Sequence, residues 1–205
     1  MNQIARSIAA RLLALSAVLT VGCSPMSDSS VSPPAVPPLA GANIGGPVAL
    51  TDQDGAPFGE RNLSGRYRIM YFGYTFCPDV CPVDVQNLAA GLKAFERQDA
   101  AAAARVVPVF VSIDPARDTP RVLKEFTGNF HPRMIGLTGT PEQIAAVAKD
   151  YAVYYRKGGT MPNGGYMMDH SRVAYLMGPK GEPIALLPHD GAPQAIAAEL
   201  ARWVH

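Results

Sequence analysis

Tyr71-Phe72-Gly73-Tyr74-Thr75-Phe76-Cys77-Pro78-Asp79-Val80-Cys81-Pro82 closes a mostly apolar run, Tyr67 to Phe72, and precedes Val83 to Phe95, where apolar residues recur at helical spacing. The stretch therefore reads as a strand-to-helix turn carrying two cysteines four residues apart. Residues i and i+4 share one helix face with Cβ atoms about 5–6 Å apart, so both sulfurs can reach one small ion. The same spacing also permits a disulfide, which needs a Cα separation of about 4.4–6.8 Å. A helix N-terminus favours the thiolate, which is both a nucleophile and a soft metal ligand. A plain structural disulfide suits an exported protein. It would close a very small loop here and restrain little of the unfolded chain.

Outward from this turn, the elements alternate. Val48 to Leu50 and the residues after Gly55 flank Thr51-Asp52-Gln53-Asp54-Gly55 and predict an N-terminal hairpin with Val48 to Leu50 as a short edge strand. Arg68 to Phe72 is a core strand, and the Val- and Ile-rich Val106 to Ile113 a strand buried on both faces. Asp118 or Thr119, followed by Pro120, opens a helix to about Thr127. Met134 to Leu137 gives a strand, and Thr140-Pro141-Glu142 caps a helix to about Asp150. Ser171 to Met177 and Pro183 to Leu187 flank Gly178-Pro179-Lys180-Gly181 as an antiparallel hairpin, and Pro193 opens a closing amphipathic helix to Val204. The order βαβαβαββα predicts an α/β fold of the thioredoxin-like class: a central mixed β-sheet flanked by helices, with the N-terminal hairpin as an extension.

The chain has 205 residues, 48% hydrophobic and 17% charged, which suits one globular domain. Arg6 and Arg11 precede Leu12 to Val21, an apolar stretch short for a membrane span but right for a secretory signal. It ends Leu19-Thr20-Val21-Gly22-Cys23, a pattern similar to a bacterial lipoprotein signal, in which Cys23 would become the lipidated N-terminus. An uncleaved anchor and an ordinary signal peptide are the other readings. The expected organisation is a signal peptide over 1–22, a lipid-anchored flexible tether over 23–46, rich in Ser, Pro, Ala and Gly, and a folded domain over 47–205. Removing Arg6 and Arg11 from the 18 basic residues leaves 16 against 17 acidic, a formal charge of −1. No basic patch points to nucleic acid.

Three segments in order, Tyr71 to Pro82, Val111-Ser112-Ile113-Asp114-Pro115-Ala116-Arg117-Asp118-Thr119-Pro120, and Asp169-His170-Ser171, resemble the Sco/SenC family of copper-binding proteins, over roughly residues 47–204. The resemblance implies a thioredoxin-like fold and one copper ion per chain, held by Cys77, Cys81 and His170. It also implies a role in maturing the dinuclear copper centre of cytochrome c oxidase. The partners would be the copper-receiving oxidase subunit and other periplasmic copper chaperones, met at the periplasmic face of the inner membrane in a bacterial cell envelope. Two thiolates and an imidazole suit Cu(I) and can hold Cu(II), whereas Mg or Ca would want oxygen ligands. Zinc is the competitor, but structural zinc sites normally use four protein ligands and no fourth Cys or His is placed to complete one.

The rival function is a thiol-disulfide oxidoreductase with Cys77 as nucleophile and Cys81 as resolving thiol, which would keep oxidase-subunit cysteines reduced for metal loading. Thioredoxin-like oxidoreductases use a two-residue spacing between their cysteines; here it is three, and Asp169-His170 stands where they commonly place a proline. A thiol peroxidase is a third reading, from Thr75-Phe76-Cys77-Pro78, with the threonine one residue too close. Asp118 reads as the N-cap of the following helix, with Asp114 and Arg117 pairing locally, in preference to metal ligation. Asp79 is either a solvated turn residue or a charge that tunes the site. Met161, Met167 and Met168 are core filling or a thioether supply near His170. Gly158-Gly159 and Gly164-Gly165 predict a mobile loop carrying His170. His131, His189 and His205 read as structural or solvated.

Overall fold

The protein is described by a computed structural model, in which residues 36–160 and 165–205 are described. In chain order the elements are β1 (Ala49–Asp52), β2 (Pro57–Gly59), α1 (Glu60–Leu63), β3 (Tyr67–Gly73), α2 (Val80–Gln98), α3 (Ala100–Ala104), β4 (Val106–Ser112), α4 (Pro120–Gly128), β5 (Ile135–Thr138), α5 (Pro141–Asp150), β6 (Tyr155–Thr160), β7 (Tyr166–His170), β8 (Ala174–Met177), β9 (Pro183–Leu186) and α6 (Pro193–Trp203). Seven strands form one mixed sheet in the order β2-β1-β5-β4-β3-β8-β9. β3, β4 and β5 are parallel, and the outer pairings are antiparallel. β6 and β7 pair only with each other, as an antiparallel ribbon outside that sheet.

The central strands divide two cores because successive side chains of a strand point to opposite faces. Ile69 and Tyr71 of β3 pack with Leu88, Leu92, Ile196 and Leu200 of α2 and α6. Met70 and Phe72 pack with Val109, Val111, Ile144 and Val147 on the other face. Every residue of β3 and β4 is buried, which explains why both read as mostly apolar runs. The helices start where their caps are. Thr119 Oγ1 accepts from the Val122 N–H at 3.4 Å with Pro120 behind it, and Thr140 makes a reciprocal capping box with Gln143.

The structure corrects several expectations. Asp118 is not the helix cap; Thr119 is, and the Asp118 carboxylate turns inward. The edge strand is β2, because β1 also pairs with β5. α2 starts at Val80, so Cys81 lies in its first turn. α1, α3 and the β6–β7 ribbon were unforeseen, and His170 ends a paired strand in place of a mobile loop. Ser171 to Val173 connect β7 to β8 and are not part of it. Finally, residues 36–46, read as the last part of a flexible tether, lie on the domain. Leu39 N–H donates to the Ile184 carbonyl at 3.0 Å and Gly45 N–H to the Asp150 carbonyl at 2.8 Å, with Leu39 and Ile44 packed against the core. The expected signal peptide, Cys23 and the rest of the tether lie outside the described residues, as do Met161 and Gly164.

Candidate metal centre

β3 delivers the chain to the site and α2 carries it away. Gly73 ends the strand, and a Cβ there would stand 2.9 Å from the Tyr71 ring and 3.3 Å from the Cys81 sulfur, so glycine leaves the room that the sulfur occupies. The turn is clamped from below. Asp118, fully buried, accepts from the Thr75 hydroxyl at 2.6 Å and from its N–H at 3.1 Å, and also from the Ser112 hydroxyl at 2.6 Å. Burial raises the Asp118 pKa in spite of these donors. Asp114 pairs with Arg117 as expected. The Arg117 guanidinium lies 3.6 Å over the Tyr166 ring and donates to the Tyr166 carbonyl at 2.9 Å, which fastens the ribbon to the loop after β4.

Both Cys77 and Cys81 are buried, free thiols. The Cys81 N–H, in the first turn of α2, donates to the Cys77 sulfur at 3.4 Å. The Cys81 thiol donates to the same sulfur, and the Asp79 N–H adds to it. Together these outweigh burial and bring the Cys77 pKa down to about 5. Cys81 moves the other way, because it is the donor to Cys77 and is buried. Cys77 is thus the more acidic of the two sulfurs. Asp79 is exposed and makes no side-chain cap, so its contribution is its backbone N–H.

His170 meets this pair from the end of β7. Its Nδ1 lies 2.9 Å from the Ser171 carbonyl, which can only accept, so Nδ1 carries the proton in the neutral ring. Nε2 is left with its lone pair and stands 3.4 Å from the Cys81 sulfur. The Tyr74 ring meets the imidazole edge-on at 6.0 Å, and its hydroxyl donates to the Met167 sulfur at 3.8 Å. Cys81 therefore touches both Cys77 and His170. Among the described residues, however, no three His, Cys, Asp or Glu side chains stand close enough to form a ready cluster of donors. Met168 packs against the core and lines a cleft of about 360 Å³ beside the ribbon, with Tyr155, Lys157 and Tyr166, away from the thiols.

Of the other histidines, His131 is buried, accepting the Arg133 N–H at Nδ1. His189 meets the Tyr71 ring edge-on at 6.0 Å, and His205 is exposed. Sequence reasoning missed Asp84, Arg172 and Tyr71. Asp84 is fully buried on α2, accepting the Tyr71 hydroxyl at 2.8 Å and a two-pronged Arg172 guanidinium at 3.0 and 2.6 Å. A signal was present: Asp84 is the one charged residue within the apolar stripe Cys81, Val85, Leu88, Leu92 and Phe95, and a carboxylate on a buried helix face needs a partner.

The mixed sheet with helices on both faces, and a dithiol turn facing a histidine, define a thioredoxin-like protein with a soft-donor site. The SCO1/SenC family profile matches residues 37–205, and the chain belongs to the SCO1/SenC family. It is 45% identical to yeast (Saccharomyces cerevisiae) mitochondrial SCO2 over 70% of this chain and 47% of that one. It is 44% identical to SenC of Rhodobacter capsulatus over 77% and 69%. The chain spans about half the length of the mitochondrial relatives from yeast and Arabidopsis thaliana, 47% and 42%. The crystal structure of Arabidopsis thaliana ScoI with copper bound superposes with a TM-score of 0.72 at 39% identity, over 78% of this chain and 97% of that one. No helix of the described residues is long and apolar enough to cross a membrane.

Proposed function

We propose that this chain is an extracytoplasmic copper-binding protein that takes up one copper ion between Cys77, Cys81 and His170 and helps to assemble the dinuclear copper centre of cytochrome c oxidase. The observation that carries the reading is the meeting of the Cys81 sulfur with the bare Nε2 of His170, beside the second sulfur, Cys77, to which the Cys81 N–H donates. Two sulfurs and one imidazole form a donor set that suits Cu(I) and accommodates Cu(II). The copper-bound relatives of the same fold support copper over zinc. Binding would draw Cys77 and His170 together around Cys81, a small turn of side chains that are already neighbours. The oxidase as recipient rests on the family. The location rests on the bacterial relatives, SenC among them, and on the export-like segment before Cys23. Cys23 would hold the domain at the periplasmic face of the inner membrane through its lipid, with residues 24–35 as tether.

The test is copper binding by the full chain with its thiols reduced. One copper per chain with a thiolate-to-Cu(II) charge-transfer band, lost or altered in His170→Ala and in Cys77→Ser/Cys81→Ser, is the expected result. Wild type that binds no more copper than the double-serine variant sinks the proposal. A thiol-disulfide oxidoreductase is the second reading, and one observation favours it: the Cys77 sulfur accepts the Cys81 N–H at the start of α2, which makes it the more acidic of two free, adjacent thiols, as a nucleophile beside its resolving thiol would be. Disulfide reduction that depends on Cys77 without copper uptake would put this reading first.

A further inference from the structure

Asp84 and Arg172 belong to the two halves of the centre. Asp84 lies three residues after Cys81, one turn along α2, and Arg172 two residues after His170, in the connection between β7 and β8. No other ion pair among the described residues joins these segments so close to the three donor side chains. The pair is built for direction as well as charge. The guanidinium meets the carboxylate through two N–H groups, Nε at 3.0 Å and Nη2 at 2.6 Å, a geometry that fixes orientation as a single contact does not. The carboxylate is fully buried and also takes the Tyr71 hydroxyl at 2.8 Å, and the same phenol neighbours the Cys81 sulfur.

On the other side the connection is tied to Tyr154. The Ser171 N–H donates to the Tyr154 carbonyl at 2.9 Å, and the Tyr154 N–H donates to the Ser171 hydroxyl at 3.1 Å. Between these two anchorages lies the Ser171 carbonyl, the acceptor that holds His170 Nδ1. Releasing Arg172 from Asp84 frees one side of that carbonyl, and the imidazole with it.

We propose that the Asp84–Arg172 ion pair is the positioning device of the centre, tying the helix of Cys81 to the segment of His170 so that the imidazole stands where the two sulfurs can share an ion with it. The inference rests on the copper reading above. Arg172 is the partner to change, because its side chain is exposed and leaves no cavity in the core; its loss still strips the buried Asp84 carboxylate of its cation, a cost that the apo Tm reads separately from copper binding.

The experiment loads the full, reduced chain with one equivalent of Cu(II). It compares wild type, Arg172→Gln, Arg172→Lys, His170→Ala and, as a control for charge, Arg121→Gln, whose guanidinium pairs with Glu125 at the surface. Affinity is read by competition with a chelator, the site by its charge-transfer band and electron paramagnetic resonance, and the fold by the apo Tm. Orienting partners of a metal ligand typically matter by about 10–100-fold in affinity. Arg172→Gln should therefore weaken copper by that factor and shift the band, Arg172→Lys should fall between it and wild type, and Arg121→Gln should match wild type. A band and affinity unchanged in Arg172→Gln, whatever its Tm, overturn the inference, since the pair is then a staple of the fold. If wild type takes up no copper, or His170→Ala keeps the wild-type band, the copper reading itself fails and the inference goes with it, a failure visible before any Arg172 variant is compared.

Discussion

His131 shows how a single buried side chain makes stability depend on pH. Burial lowers its pKa below the ordinary 6.5, in spite of the Glu96 carboxylate 3.4 Å away, while Arg133 and Lys93 add to the lowering. The unfolded chain takes up its proton first as pH falls through about 6.5. The contribution of a neutral, buried His131 is thus complete above that value and is lost as pH falls from it towards the folded value. Glu96, whose pKa is lowered by Arg133 and His131 against burial, adds a loss of the same sign at lower pH, below 4.5. Wild-type Tm should fall between pH 7.5 and 5.5, and in His131→Gln that fall should flatten. A slope as steep in the variant as in wild type would assign it elsewhere.

Between elements, the tightest approach is α2 on α6. Gly91 has no room for a methyl group: a Cβ would stand 2.5 Å from Ile196 Cβ and 2.6 Å from its Cγ2. In an open helix Gly→Ala is stabilising by about 0.5–1 kcal/mol. Here overpacking should win, and Gly91→Ala should lose about 1–3 kcal/mol in urea unfolding. Equal or greater stability would mean that α6 moves away at little cost. The same scale explains what was legible in the sequence. β3 and β4 were, because burial on both faces leaves them mostly apolar, with Arg68 and Ser112 the exceptions, and α4 and α5 were, because Thr-Pro marks their starts. The ribbon was not: Arg156-Lys157-Gly158-Gly159 shows no alternation, since its strands rest largely in solvent and are held by Arg117 and Tyr74 from distant parts of the chain. Cys77 and Cys81 announced themselves by spacing. His170 was singled out through the company of its neighbours and family likeness, and the fold does bring it to Cys81, whereas Asp118 was misplaced because a capping pattern and an inward clamp look alike before the fold is known.

For the whole molecule, the boundary of the domain matters most. Residues 36–46 add no helix or strand, yet Gly45, at a φ of 101°, brings the chain against Met177, and Leu39 and Ile44 cover the face that α5 leaves open. A chain starting at 36 should therefore outlast one starting at 47 by about 1–3 kcal/mol in chemical unfolding, on the partial burial of two large aliphatic side chains and two backbone hydrogen bonds. Coincident unfolding curves would return those residues to the tether.

The ribbon's place outside the seven-stranded sheet divides the centre into parts of unequal persistence. The sulfurs sit just past the end of a fully buried strand, Cys77 in the turn and Cys81 in the first turn of a long, well-packed helix. The imidazole is as durable as two short strands and their few fastenings, and such pieces open far more often than a core does. If copper is held as proposed, an exchange of ligands would have a natural order: the nitrogen would leave before the thiols, and an incoming donor would find that corner open first.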